Sequence, residues 1–274
     1  MSAPGDRTDN DRKTGKDHMP TSDSKLSLVE EKMQRKGDAE YRARLEEYFA
    51  SSIGSNVEKL KNFAKYVPRQ SMTTFLSKYE LFKRLLTVQG SIIECGVFMG
   101  GGLMTWAALS SILEPVNHQR RIIGFDTFSG IPSLAPEDGT SESDRCKEGD
   151  LAADSYADLK ACIGVYDLNR SLSHIPKVEL VKGDIRETAP RFLAENPHTV
   201  VSLLYLDAVV FEPTRVALRE FRPRIPRGGI IVFDELNSPL WPGETIAVLA
   251  EVGIANLRIR RFPFDSALSY AVVE

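Results

Sequence analysis

The chain is 274 residues long, 42% hydrophobic and 27% charged, with a formal net charge of −3. That length supports one large domain with a full core, or two small ones. So small a net charge excludes the electrostatic footprint of a general nucleic-acid binder, and no run reaches the roughly 18 apolar residues that cross a bilayer.

Residues 1–24 (MSAPGDRTDNDRKTGKDHMPTSDS) are polar, with no apolar leader segment. They bury too little to offset ordering entropy, so a disordered tail is expected there. Residues 25–88 form an N-terminal helical region: LSLVEEKMQRKG, AEYRARLEEYFASSI and MTTFLSKYELFKRLL space apolar residues by three and four. That region carries no chemical motif and suits packing on a core or on a second subunit, so a homo-oligomer is expected.

From residue 89 to 274 short apolar runs alternate with helical segments. The runs are SIIECGV (91–97), RIIGFD (121–126), KVELVKGD (177–184), VVSLLYLD (200–207) and GGIIVFDE (228–235). Near-continuous apolar runs are the mark of parallel strands covered on both faces. The order predicts a doubly wound, Rossmann-like α/β sheet. The ending LRIRRFPF, DS, ALSYAVVE predicts an antiparallel hairpin with a two-residue Asp265-Ser266 turn. Between Asp126 and Lys177 lies a long acidic loop, either a lid or a surface insertion. The three cysteines (Cys95, Cys146, Cys162) are odd in number and lack metal-type spacing, which fits a reduced, cytoplasmic compartment.

Open α/β sheets bind ligands beyond the carboxyl ends of their strands. Acids stand at or beside nearly every such end: Glu94, Asp126, Asp184, Asp207, Asp234 and Glu235. Gathered carboxylates repel and call for a ligand or metal. The first strand runs through Gly96 into Gly100-Gly101-Gly102, a turn that permits close backbone approach. The spacing is not G-x-G-x-x-G, and no P-loop or G-x-S-x-G elbow is present. Asp126 is placed to accept ribose hydroxyls, as in nucleoside-binding α/β folds. Asp184 either receives an adenine amine or caps the helix that starts at Ile185. Asp207, Asp234 and Glu235 are hard oxygen ligands with no Cys or His beside them. They suit Mg²⁺, Mn²⁺ or Ca²⁺, or else one is bonded to backbone and two are solvated. His18, His118, His174 and His198 lie away from the strand ends.

Taken together, IIECGVFMGGG, GFDTFSGIP, VKGDI, LLYLDAVVFEPTRVAL and PRGGIIVFDELNSPLWPGET resemble the S-adenosylmethionine-dependent O-methyltransferases of the macrocin family, which methylate sugar hydroxyls in antibiotic pathways. The resemblance covers roughly residues 70–274. It implies a seven-stranded class I methyltransferase sheet whose last strand is antiparallel. It implies S-adenosylmethionine held by Glu94, Gly96, Gly100 and Gly101 at its methionine part. Asp126 and Ser129 would hold the ribose, and Asp184 and Ile185 the adenine. Ser71, Thr73 and Thr74 would lie towards the cofactor carboxylate. It further implies Mg²⁺ on Asp207, Asp234 and Glu235, with Asp207 catalytic, and a small hydroxylated acceptor such as a sugar on a natural-product intermediate. No nucleic acid or membrane partner is implied.

One departure stands out. The family's Asp-x-Asp at the fourth strand reads Asp207-Ala208-Val209 here, so the general-base position is valine. Glu212, Glu244 or a metal-bound hydroxide are the alternative bases. Three functions follow: a metal-assisted O-methyltransferase, a cofactor-binding homologue that has lost turnover and serves in assembly, and an NAD-dependent oxidoreductase. The missing G-x-G-x-x-G and the terminal hairpin disfavour the third.

Overall fold

The computed structural model describes residues 33–274. The tail expected over 1–24 and the start of the helical region lie outside them. Most of LSLVEEKMQRKG also lies outside them; of its described part only Met33 is helical, and Gly37, at φ 109°, precedes α1 (Asp38–Ser51). There follow α2 (Asn56–Lys61), opened by a Ser55–Glu58 capping box, and α3 (Arg69–Leu85). Such a box satisfies two otherwise orphaned amides.

The remainder alternates. Strands β1 (Ser91–Cys95), β2 (Ile122–Asp126), β3 (Val178–Lys182), β4 (Val201–Leu206) and β5 (Ile230–Phe233) are linked by helices. These are α4 (Gly101–Leu113), α5 (Tyr156–Asp167), α6 (Ile185–Glu195) and α7 (Phe211–Phe221). Then come α8 (Pro242–Glu251), β6 (Arg260–Arg261) and β7 (Ser269–Val272). They form one seven-stranded sheet in the order β3-β2-β1-β4-β5-β7-β6. β1 to β5 are mutually parallel, and β7 runs antiparallel to both β5 and β6.

Alternation of side chains across the sheet builds two cores. Ile92, Ile122, Leu203 and Ile230 face α3, α4 and α5, where Leu81, Phe82, Leu103, Trp106 and Leu159 meet them. Ile93, Ile123, Leu204 and Ile231 face α6, α7 and α8, packing on Phe192, Leu218, Phe221 and Val248. The central strands β1, β4 and β5 are buried along their whole length, while the edge strand β3 is half open. That is why KVELVKGD carries polar residues where the other runs do not.

The terminal pair departs from the expected two-residue turn. Its strands stop at Arg261 and resume at Ser269. Asp265 is drawn inward instead, accepting the Ala267 and Leu268 amides and, at 2.5 Å, the Ser77 hydroxyl of α3. Among the described residues no helix is long and apolar enough to cross a membrane.

Candidate active site

Chain direction across the sheet reverses between β1 and β4, and a cavity of about 240 Å³ opens beyond the carboxyl ends there. Gly96, Asp126, Asp184, Ile185, Asp207, Asp234 and Glu235 all line it. Gly96 makes the geometry possible. It sits at φ 94°, and a Cβ there would stand 2.0 Å from the Asp207 carbonyl oxygen. The Asp207 amide also donates to the Cys95 carbonyl at 2.8 Å. The ends of β1 and β4 are thus pressed together as only glycine allows.

Asp126 organises the two loops that flank this end. One carboxylate oxygen accepts the Val97 and Phe98 amides at 2.7 and 2.8 Å, and the other accepts Phe128 at 2.6 Å. Phe98 and Phe128 are both left-handed, at φ 50° and 57°, a region that bulky residues enter only under constraint. The second oxygen, with that one amide, keeps a further lone pair.

Asp184 is the N-cap of α6, accepting the Arg186 amide at 2.9 Å, and it also pairs with the Arg186 guanidinium at 2.5 Å. Burial works to raise its pKa, but the hydrogen bonds from Arg186 overcome this and hold it below the usual carboxylate range. Asp184 therefore caps α6, and the same residue lines the cavity.

Asp207 and Asp234 stand just past β4 and β5. Burial, then the charge of Asp234, then Glu94 and Glu235, push Asp207 well above the carboxylate range. Asp234 is raised by burial, against the opposing pull of a 2.5 Å hydrogen bond donated by the Tyr205 hydroxyl. Their chemistry fits a hard divalent cation: three oxygen donors share one cavity wall, and two of them hold each other's charge in check. The fit is one of donor type and charge. Among the described residues no group of three acidic, histidine or cysteine side chains is placed to hold a metal ion.

Four expected cofactor residues do not line the cavity. Gly100 and Gly101 open α4 behind it, and Ser129 is exposed, its amide bonded to Thr127. Glu94 is 2% exposed, paired with Lys78 at 2.9 Å and with the Trp106 indole at 2.6 Å. Gly102 leaves the space, since a Cβ there would lie 2.6 Å from the Glu94 carboxylate. Thr73 and Thr74 bond back to their own helix, and Ser71 is exposed. Of the alternative bases, Glu212 pairs with Arg215 at 3.0 Å. Glu244 is fully buried, one oxygen accepting the Glu235 amide at 3.0 Å. Neither lines the cavity.

Sequence reasoning missed Lys78, which is 2% exposed and lies 3.8 Å from the centre of the Tyr205 ring. The signal was present: Lys78 occupies the same helix face as Leu81, Phe82 and Leu85, where a charge needs a buried partner. Also missed were Ile131, Leu151 and Trp241, which line the cavity too. The long loop is thereby part of the site, and Asp138 ties it down by accepting the Phe211 and Ala135 amides, each at 2.9 Å.

A 3-2-1-4-5-7-6 sheet with acids at the carboxyl ends of its first two strands and a cavity at the switch point defines a class I S-adenosylmethionine-dependent O-methyltransferase. The macrocin O-methyltransferase family model matches residues 70–247, and the chain belongs to that family. It is similar to the crystal structure of CalS11, a calicheamicin methyltransferase, at 36% identity and a TM-score of 0.83 over 87% of this chain and 93% of that one. The apo structure of CalS11, described as a TDP-rhamnose 3'-O-methyltransferase of calicheamicin biosynthesis, matches at 34% identity and a TM-score of 0.76, over 87% and 95%. The O-methyltransferase NovP shares the fold at 18% identity and a TM-score of 0.60, over 74% and 80%. No curated protein sequence matches the chain.

Proposed function

We propose that this enzyme methylates a hydroxyl of a sugar carried on a natural-product intermediate. The observation that carries the reading is one cavity with two chemically distinct walls. Gly96, Asp126, Asp184 and Ile185 form a nucleoside-binding side, and Asp207, Asp234 and Glu235 form an acidic side. The similarity to CalS11 supports a sugar on the acidic side.

In the reaction the acceptor oxygen attacks the sulfonium methyl carbon in line. The new C–O bond forms as the C–S bond breaks, and its electron pair stays on sulfur as the thioether product. The chain's task is orientation and removal of the hydroxyl proton. Gly96 would admit the cofactor close to the backbone, Asp126 would hold its ribose, and Asp184 and Ile185 would frame its adenine. Since Val209 takes no proton, ionisation of the hydroxyl rests on the acids that face the cavity, Asp207 foremost, and on the cation that they would hold. Asp207, Asp234 and Glu235 would hold Mg²⁺, which when bound supplies Lewis acidity that lowers a hydroxyl pKa. Glu94 acts at one remove, fixing β1 against α3 and α4 through Lys78 and Trp106.

The test is transfer of labelled methyl to TDP-rhamnose, with Mg²⁺ and then with EDTA, by wild type and Asp207→Asn. Transfer that falls about 10²-fold or more in the variant is expected for loss of an acid–base group. Unchanged turnover in the variant overturns the role of Asp207. Tight S-adenosylhomocysteine binding with no transfer to any sugar would favour a cofactor-binding assembly protein. The exposed Tyr41, Tyr48, Ile53, Val57 and Leu60 of the N-terminal helices support a homo-oligomer.

A further inference from the structure

A tyrosine buried in a strand needs a partner for its hydroxyl. Tyr205 stands in the apolar run of β4, 2% exposed, and its partner belongs to the neighbouring strand. The register sets Tyr205 opposite Val232 of β5, so Asp234 follows two residues further on and on the same face. That diagonal is within reach of a long aromatic side chain. The Tyr205 hydroxyl spans it and donates to Oδ1 of Asp234 at 2.5 Å.

The ring is held in place from behind. Lys78 of α3 keeps its ammonium 3.8 Å from the ring centre, and the Trp106 indole of α4 meets the ring edge-on, 6.0 Å between centroids. Lys78 and Trp106 are themselves locked, since both donate to one oxygen of Glu94 on β1. Residues of β1, α3 and α4 thus fix a hydroxyl whose hydrogen bond ends on a residue of the cavity wall. One oxygen of Asp234 is turned to the interior by that bond, and the other is left to the cavity, which Asp234 lines.

We propose that Tyr205 is a positioning residue: it commits Oδ1 of Asp234 to the interior, so that Asp234 meets a cation through a single oxygen, and it thereby favours Mg²⁺ over Ca²⁺ on the acidic wall. This rests on the cation reading above and deepens it. Mg²⁺ is content with single carboxylate oxygens and keeps several of its waters, whereas Ca²⁺ collects more oxygens and readily takes both from one carboxylate. A carboxylate with one oxygen already engaged gives the first ion what it uses and denies the second what it could gain.

The experiment follows Mn²⁺ on the full chain by electron paramagnetic resonance, with S-adenosylhomocysteine present, and displaces it in turn with Mg²⁺ and with Ca²⁺. Wild type is expected to bind Mg²⁺ more tightly than Ca²⁺. Tyr205→Phe keeps the ring and loses the hydroxyl, and its Mg²⁺ affinity should fall about 10- to 100-fold, the usual loss when the partner of a metal-binding side chain is removed. Its Ca²⁺ affinity should fall less, because the freed oxygen can join that ion's shell, so the preference narrows by about tenfold. Tyr166→Phe on α5, which likewise removes a hydroxyl bonded to the Ala107 carbonyl, should leave the preference unchanged. Unaltered S-adenosylhomocysteine affinity in Tyr205→Phe separates loss of the hydroxyl from loss of the fold. An unchanged preference in that variant, both ions weakened alike, or a wild type that binds Ca²⁺ as tightly as Mg²⁺ would overturn the role of Tyr205. A wild type that binds S-adenosylhomocysteine but none of the three cations would overturn the cation reading itself, and this role with it.

Discussion

Lys78 is the residue whose energetics are most exposed to a single change. It faces Glu94 at 2.9 Å with both side chains almost wholly buried, and its ammonium lies 4.6 Å from the Trp106 ring centre and 3.8 Å from that of Tyr205. Burial raises the Glu94 pKa, and the Lys78 charge works against that rise. Removing one member of a buried pair leaves the other charge uncompensated, which costs about 3–5 kcal/mol. Lys78→Met is expected to lose that much in urea unfolding, and Lys78→Met combined with Glu94→Leu to recover most of it. A double variant no better than the single would show that packing, not charge, is what the pair contributes. At this scale the sequence was only partly legible. Asp126 and Asp184 could be read from their place after apolar runs. Glu94 looked the same, yet its partner sits 16 residues earlier on a helix, and only the folded chain shows that the pair is sealed from the cavity.

Among the elements, the loop between β2 and β3 shows how a polar, irregular segment becomes part of a binding site. It holds few apolar residues, but Ile131, Pro132 and Leu151 are the ones that reach the cavity. Its anchors are polar: Asp138 on the Phe211 amide, the Glu142 amide on the Pro239 carbonyl at 3.1 Å, and Ser141 on the Leu240 carbonyl. Asp138→Ala leaves the buried Phe211 amide without an acceptor, at about 1–3 kcal/mol, and also frees the half-buried Ala135 amide. We expect faster proteolysis within this loop and a raised acceptor KM, with S-adenosylhomocysteine affinity changed less. Equal loss of both ligands would mean that the loop serves the whole cavity alike. The spacing of apolar and polar residues located every strand of the parallel sheet, because parallel strands buried on both faces leave nearly unbroken apolar runs. It mistook the connection before β7 for a tight turn, because Asp-Ser carries turn chemistry wherever it falls. The inward pull of Ser77 on Asp265 spans 188 residues and leaves no local trace.

For the whole molecule, the acids behind β5 set how stability answers to pH. Glu244 is fully buried and its pKa is pushed well above the carboxylate range by burial, then by the Asp234 charge. A carboxyl raised in the folded state binds more protons there than in the unfolded chain. Its stabilising share is full below the unfolded value, about 4.3, and is lost as pH rises towards the folded one. Glu244→Gln keeps an oxygen for the Glu235 amide and does not titrate. The variant should therefore gain on wild type in melting temperature from pH 5 to pH 8, and a gap that stays flat or shrinks would contradict this assignment. The architecture itself could be read from the alternation of runs and helices, and its seven strands from the family resemblance. What could not be read is charge in three dimensions: Glu94, Asp207 and Asp234 share an interior whose balance depends on a lysine from outside the alternating pattern.

The Ser77–Asp265 bond has a bearing on how the chain is made. Synthesis delivers Asp265 188 residues after Ser77, so the hydroxyl on α3 waits for its acceptor until all five parallel strands have been made. β7, the strand that covers one side of β5, follows four residues later. Until then β5 offers an open edge, the kind of surface on which nascent chains pair with one another. The sheet is sealed only when β7 arrives, and a stop near residue 260 would release the five parallel strands with that edge bare.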